Sequence, residues 1–118
     1  MEQCLKELPK VLKIGPYDWA VVCYDESGPE FTTCGQTDFE TQEIILWTSM
    51  LPNVSTVVGT VLHECLHVIF DNEKLSKLKK SKAAREEQIV LGFEAGLVAL
   101  MRDNPKLTKW MFKYLKGL

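Results

Sequence analysis

A chain of 118 residues, 46% of them hydrophobic and 25% charged, has the make-up of one folded domain, residues 1–118, with a modest core and no room for a second. A formal net charge of −2 gives no overall attraction to nucleic acid or anionic membrane, and no uninterrupted apolar run approaches the roughly 20 residues of a membrane span. Met1 to Glu7 carry neither a basic nor an apolar stretch, which predicts a cytoplasmic protein, and the irregularly spaced Cys4, Cys23, Cys34 and Cys65 read as thiols rather than as a disulfide framework.

In chain order, Lys10–Ile14 and Trp19–Tyr24 have strand composition and are separated by Gly15-Pro16-Tyr17-Asp18, which has turn chemistry, so they predict a hairpin. A polar loop, Asp25 to Pro29, precedes a short strand at Phe31–Cys34. After Gly35 to Asp38 comes a further strand, Glu43–Trp47, taken as an edge strand on which an extended peptide can lie. Thr48 to Pro52 then leads into a helix opening at Asn53 or Ser55 and ending near Asp71-Asn72. Six basic residues between Lys74 and Arg85 read as a solvated connector in preference to a phosphate-binding patch, because no aromatic residues interleave for base stacking. A long helix from Lys82 to Asp103, capped by Ser81, puts Ile89, Val90, Phe93, Leu97, Leu100 and Met101 on its apolar stripe, with Gly92 and Gly96 allowing close approach to the preceding helix. Asn104-Pro105 opens a last helix with Leu107, Trp110, Met111, Tyr114, Leu115 and Leu118 on its apolar side. The sum is an α+β fold, a short antiparallel sheet of three or four strands packed on one central helix and two further C-terminal helices.

That central helix carries both histidines of the chain, His63 and His67, in the sequence His-Glu-Cys-Leu-His. Positions i and i+4 of a helix share one face, so the two imidazoles can meet one cation, and Glu64 stands where a carboxylate reaches a metal-activated water without ligating the metal. Val58, Val61, Leu62, Cys65, Leu66 and Ile69 cover the opposite side, which removes Cys65 from the ligand set. Asp71 shares the histidine face but lies about 12 Å along the axis from His63, too far to be a ligand, and is instead a candidate hydrogen-bond partner for the His67 ring. A hydrolytic zinc site needs three protein ligands, so the third must come from another element: Glu86 or Glu87 in the first turns of the next helix, with Glu94 a weaker choice.

His63-Glu64-Cys65-Leu66-His67-Val68-Ile69, followed by Glu86-Glu87-Gln88-Ile89-Val90, then Gly96-Leu97 and Leu100 through Pro105, resembles small phage- and prophage-encoded metallopeptidase-like proteins of minimal gluzincin type. The resemblance spans residues 35 to 107. It implies a zincin-like minimal domain with zinc held by His63, His67 and Glu87, and peptide-bond hydrolysis of a peptide or protein substrate in the host-cell cytoplasm. Glu64 is then the general base that takes the proton of the attacking water and returns it to the leaving amine. Glu43–Trp47 aligns the substrate, and Tyr17, Tyr24 and Tyr114 are the tyrosines available to stabilise the oxyanion. The competing expectation is a non-catalytic binding module that keeps the fold and acts by protein contact.

Overall fold

The computed structural model describes residues 1–26, 28 and 33–116. Its elements are α1 (Glu2–Glu7), β1 (Val11–Ile14), β2 (Tyr17–Tyr24), β3 (Gly35–Asp38), β4 (Glu43–Trp47), a 3₁₀ turn (Thr48–Met50), α2 (Val54–Asn72), α3 (Lys82–Asp103) and α4 (Pro105–Leu115). The α+β class is as expected. The hairpin between β1 and β2 is tighter than the composition suggested: Ile14 pairs with Tyr17, leaving only Gly15-Pro16 in the loop. Gly15 has φ +63°, and a positive φ followed by the fixed negative φ of proline is the sign pattern of a type II′ turn.

The sheet has four strands in the order β1-β2-β4-β3. The β1/β2 and β3/β4 pairs are antiparallel, as expected, but β2 and β4 run parallel, so the sheet is mixed. The cause is the route of the chain, which leaves β2 for the far edge, forms β3 there, and returns as β4 between them. The edge position expected for Glu43–Trp47 is therefore corrected: β4 is flanked by β2 and β3, and the edges are β1 and β3. The burial of β4 agrees with an interior place. Ile44, Ile45 and Leu46 are all buried in succession, whereas successive side chains point to opposite faces, so both faces of this strand are covered. The strand expected at Phe31–Cys34 falls only in part on described residues. Phe31 and Thr32 lie outside the described residues, Thr33 and Cys34 are not in a strand, and the strand begins at Gly35.

Helix α2 covers one face of the sheet. Asn53 caps it, its side chain accepting the Thr56 N–H at 2.9 Å. By length and mean hydropathy (1.2) α2 is the described helix apolar enough to cross a membrane, but Val57, Val58, Val61, Cys65, Val68 and Ile69 are buried with Leu12, Ile14, Ile44 and Leu46, which makes it the core helix. Helix α3 meets α2 through Gly96, where a Cβ would fall 2.3 Å from Ile69 Cγ2, and meets Leu75, just past the end of α2, through Gly92. That contact line turns the buried face of α3 toward Gly92, Gly96 and Leu100. Val90 and Met101, expected on the apolar stripe, consequently face solvent.

In α4, Leu107 and Trp110 are buried as expected; Leu115 is exposed and Leu118 lies outside the described residues. Trp110 donates its indole N–H to the Cys4 carbonyl at 2.8 Å, fixing α1, a helix with too short an apolar pattern to be read from sequence. Asn104 occupies the N-cap position of α4, yet its side chain does not cap. It accepts the Lys13 N–H at 2.8 Å and donates to the Lys13 and Leu100 carbonyls, tying β1 to the junction of the last two helices.

Candidate metal centre

The apolar side of α2 faces the sheet, so the histidines, on the other side, are exposed. Their Nε2 atoms stand 3.2 Å apart, with ring centroids at 4.9 Å and planes at 74°. Two imidazole nitrogens bound to one tetrahedral zinc at about 2.0–2.1 Å are separated by roughly 3.3 Å, so the rings already have the spacing of two ligands to one ion. An N–H···N hydrogen bond between two imidazoles has the same spacing. Glu64 Oε2 is 3.9 Å from His63 Nε2, and one donor atom from each of His63, Glu64 and His67 lies within 4.8 Å of the others. The two imidazole nitrogens are donors of a type that suits a divalent cation, and the Glu64 carboxylate stands beside them.

Glu64 is only 5% exposed. A buried carboxylate requires partners, and edge strand β3 supplies one: Thr37 Oγ1 is 2.9 Å from Oε1 and 3.2 Å from the Glu64 main-chain carbonyl. Gly35, at the start of the same strand, lets the backbone press onto α2. A Cβ there would fall 2.6 Å from Thr60 Cγ2 and 3.1 Å from Glu64 Oε2. Neither Thr37 nor Gly35 was anticipated as a site residue, since both sit in a short polar stretch that reads as loop; the glycine before a polar pair was the only signal.

Two depressions meet at His63. One, of about 430 Å³, runs between β3 and the start of α2 and is lined by Cys34, Gly35, Thr56, Gly59, Thr60, His63 and Glu64. The other, of about 330 Å³, is lined by His63, Leu66, His67, Phe70 and Phe93 and is apolar apart from the rings. Cys65 is fully buried on the opposite side of the helix. Burial, and then the charge of Glu64, push its thiol up to about 12, so its exclusion as a ligand stands on both position and chemistry.

The structure does not bring the α3 carboxylates into this cluster. Glu87 lines a separate cleft of about 510 Å³ with Glu73, Leu75, Lys79 and Gln88, while Glu86 and Glu94 are exposed. The reason is the crossing of the two helices. Gly96 meets Ile69 and Gly92 meets Leu75, so the turns of α3 before Gly92 run beyond the end of α2, away from the histidines. Asp71 is exposed, and among the described residues no hydrogen bond joins it to His67. Of the tyrosines, Tyr114 donates its hydroxyl to Glu7, Tyr24 stacks on Trp47, and Tyr17 is exposed beside the hairpin turn; none lines either depression at the histidines.

The basic connector is anchored by buried Leu75 and by Gln88, whose side chain accepts the Lys79 N–H and donates to the Lys77 carbonyl. Its lysine side chains are left in solvent. Comparisons of the chain with protein-family models, with curated proteins and with solved structures find no match.

Proposed function

We propose that His63 and His67 hold a divalent cation, zinc by the character of the donors, and that the chain hydrolyses peptide bonds with Glu64 as general base. The observation that carries this reading is the 3.2 Å separation of the two Nε2 atoms beside a buried carboxylate. When bound, such a cation supplies Lewis acidity, polarising a carbonyl and bringing the pKa of water down to about 7. The chain's own residues supply the rest. Thr37 occupies Oε1 of Glu64, which leaves Oε2, the oxygen on the His63 side, to take a proton. β3 ends the sheet, and its outer edge beside the 430 Å³ groove offers main-chain groups to an extended peptide, the part first given to Glu43–Trp47. The cytoplasmic setting and the kinship with small phage-encoded metallopeptidase-like proteins belong to this same reading.

The position of Glu87 favours a second reading, a metal-binding module that acts by protein contact without catalysis, because no α3 carboxylate completes the ligand set. One experiment separates the two. Zinc-loaded wild type should cleave an unfolded protein, and Glu64→Gln should retain zinc while losing cleavage. Wild type that binds zinc but cleaves nothing supports the module; wild type without stoichiometric zinc removes both.

A further inference from the structure

Among the described residues, Gly59 has no packing reason to be a glycine. In the middle of a helix, glycine costs about 1 kcal/mol relative to alanine, and such a cost is ordinarily offset by close packing of the kind Gly96 makes on Ile69. Among the described residues, a Cβ at Gly59 would meet nothing within 4 Å. The residue is exposed, lies one turn before His63 on the same face of α2, and lines the groove with Thr56, Thr60 and Glu64. A local rule broken with no structural return among the described residues is what a functional position looks like. Beyond the histidines the character of the surface changes: Leu66, Phe70 and Phe93 form an apolar pocket, and Phe70 is 40% exposed there.

The geometry points to an occupant of one kind, an extended peptide whose main chain passes over Gly59 and which sets a bulky apolar side chain among Leu66, Phe70 and Phe93. This rests on the zinc-peptidase reading and adds the substrate class to it. Contact between a ligand's main chain and a helix requires the helix surface to be low, and glycine is the residue that lowers it. An aromatic or large aliphatic side chain seated beside the two imidazoles removes apolar surface from water on both partners.

The test uses the full chain loaded with zinc and two small probes that chelate the metal, phenylalanine hydroxamate and alanine hydroxamate, together with a library of unstructured decapeptides. Calorimetry should give the phenylalanine probe an affinity at least about tenfold higher, and Phe70→Ala, which leaves zinc content unchanged, should bring the ratio close to one. Gly59→Ala should raise the melting temperature by helix propensity while weakening decapeptide binding and turnover at least about tenfold. A purely structural glycine cannot give that opposed pair. If zinc binds but the two hydroxamates bind alike, or if Gly59→Ala is more stable with undiminished peptide binding, the inference is overturned and the zinc reading stands. If zinc does not bind, the zinc reading fails first and the inference falls with it.

Discussion

Thr37 holds Glu64 from the neighbouring strand, its hydroxyl oxygen 2.9 Å from Oε1 and 3.2 Å from the carbonyl oxygen of the same residue. The pair joins the sheet edge to the helix at the point where the candidate base must keep one orientation. Thr37→Val keeps the shape and removes the donor, leaving a buried carboxylate oxygen without its partner, which costs about 1–3 kcal/mol. A drop in the urea midpoint should therefore accompany a loss of cleavage of roughly 10–100-fold, the range for losing a group that orients a site residue. Zinc content should be unchanged, and Thr37→Ser should restore both properties. A Thr37→Val protein equal to wild type in stability and turnover would remove Thr37 from the site.

The separation of Glu87 from the histidines makes metal content a sharp measurement. Elemental analysis of purified variants should show zinc lost from His63→Ala and from His67→Ala, and retained by Glu86→Ala and Glu87→Ala, because the α3 carboxylates lie in or beyond a different cleft. An ion bound only by the folded chain also stabilises it by mass action, about 2.7 kcal/mol at a free concentration one hundred times the dissociation constant. A chelator should accordingly lower the melting temperature of wild type and leave His63→Ala unmoved. Zinc lost from Glu87→Ala would show that α3 closes over the histidines when the ion is present.

What could be read from sequence divides along a physical line. The spacing of His63, Glu64 and His67 on a helix buried on its far side is local information, and so are the Asn53 and Ser81 caps, which the structure places as expected. The glycines of α3 signalled its close approach to α2, met at Gly96 and Ile69, but most of what depends on which surfaces meet was not legible. The run Ile44-Ile45-Leu46 signals a strand, but its central position follows from the return path through β3, a strand of glycine and polar residues with no apolar alternation. Glu87 as third ligand is what the family resemblance implies, whereas its place is set by the point at which α3 crosses α2, fixed by Gly96 and Ile69. Asn104 has cap composition in a cap position, and only the tertiary approach of β1 turns its amide to Lys13 instead.

That crossing point is itself open to test. Alanine at an exposed helical glycine stabilises by up to about 1 kcal/mol, but a Cβ at Gly96 would sit 2.3 Å from Cγ2 of Ile69, an atom of a β-branched and fully packed side chain that cannot swing aside. Overpacking of this kind costs about 1–3 kcal/mol, so Gly96→Ala should destabilise despite its better propensity. In an Ile69→Ala background, which is itself destabilised by the lost side chain, the same change should become neutral or stabilising. A double-mutant cycle by urea unfolding reads the coupling, and additive effects would mean that the two helices do not meet there.

At the opposite end of the molecule, Glu7 of α1 accepts from Lys113 Nζ at 2.8 Å, from the Tyr114 hydroxyl and from Gln3. These hydrogen bonds, with Lys113 first and Tyr114 second, lower the Glu7 carboxyl from 4.5 to about 2. A carboxyl depressed in the folded state binds its proton more weakly there than in the unfolded chain, so acid favours unfolding. The stabilisation is fully present above pH 4.5, declines as the pH falls below that value, and is gone once the pH has passed through about 2. Because the pair lies at the surface, the effect should be modest and should shrink in high salt. Melting temperatures of wild type and Glu7→Gln across the acid range, at low and high salt, measure it. Wild type should lose stability more steeply than the variant below pH 4.5, with the two curves converging toward pH 2. Parallel curves would mean that Glu7 does not hold α1 to α4, and that the Trp110 indole bond to the Cys4 carbonyl anchors the N-terminal helix by itself.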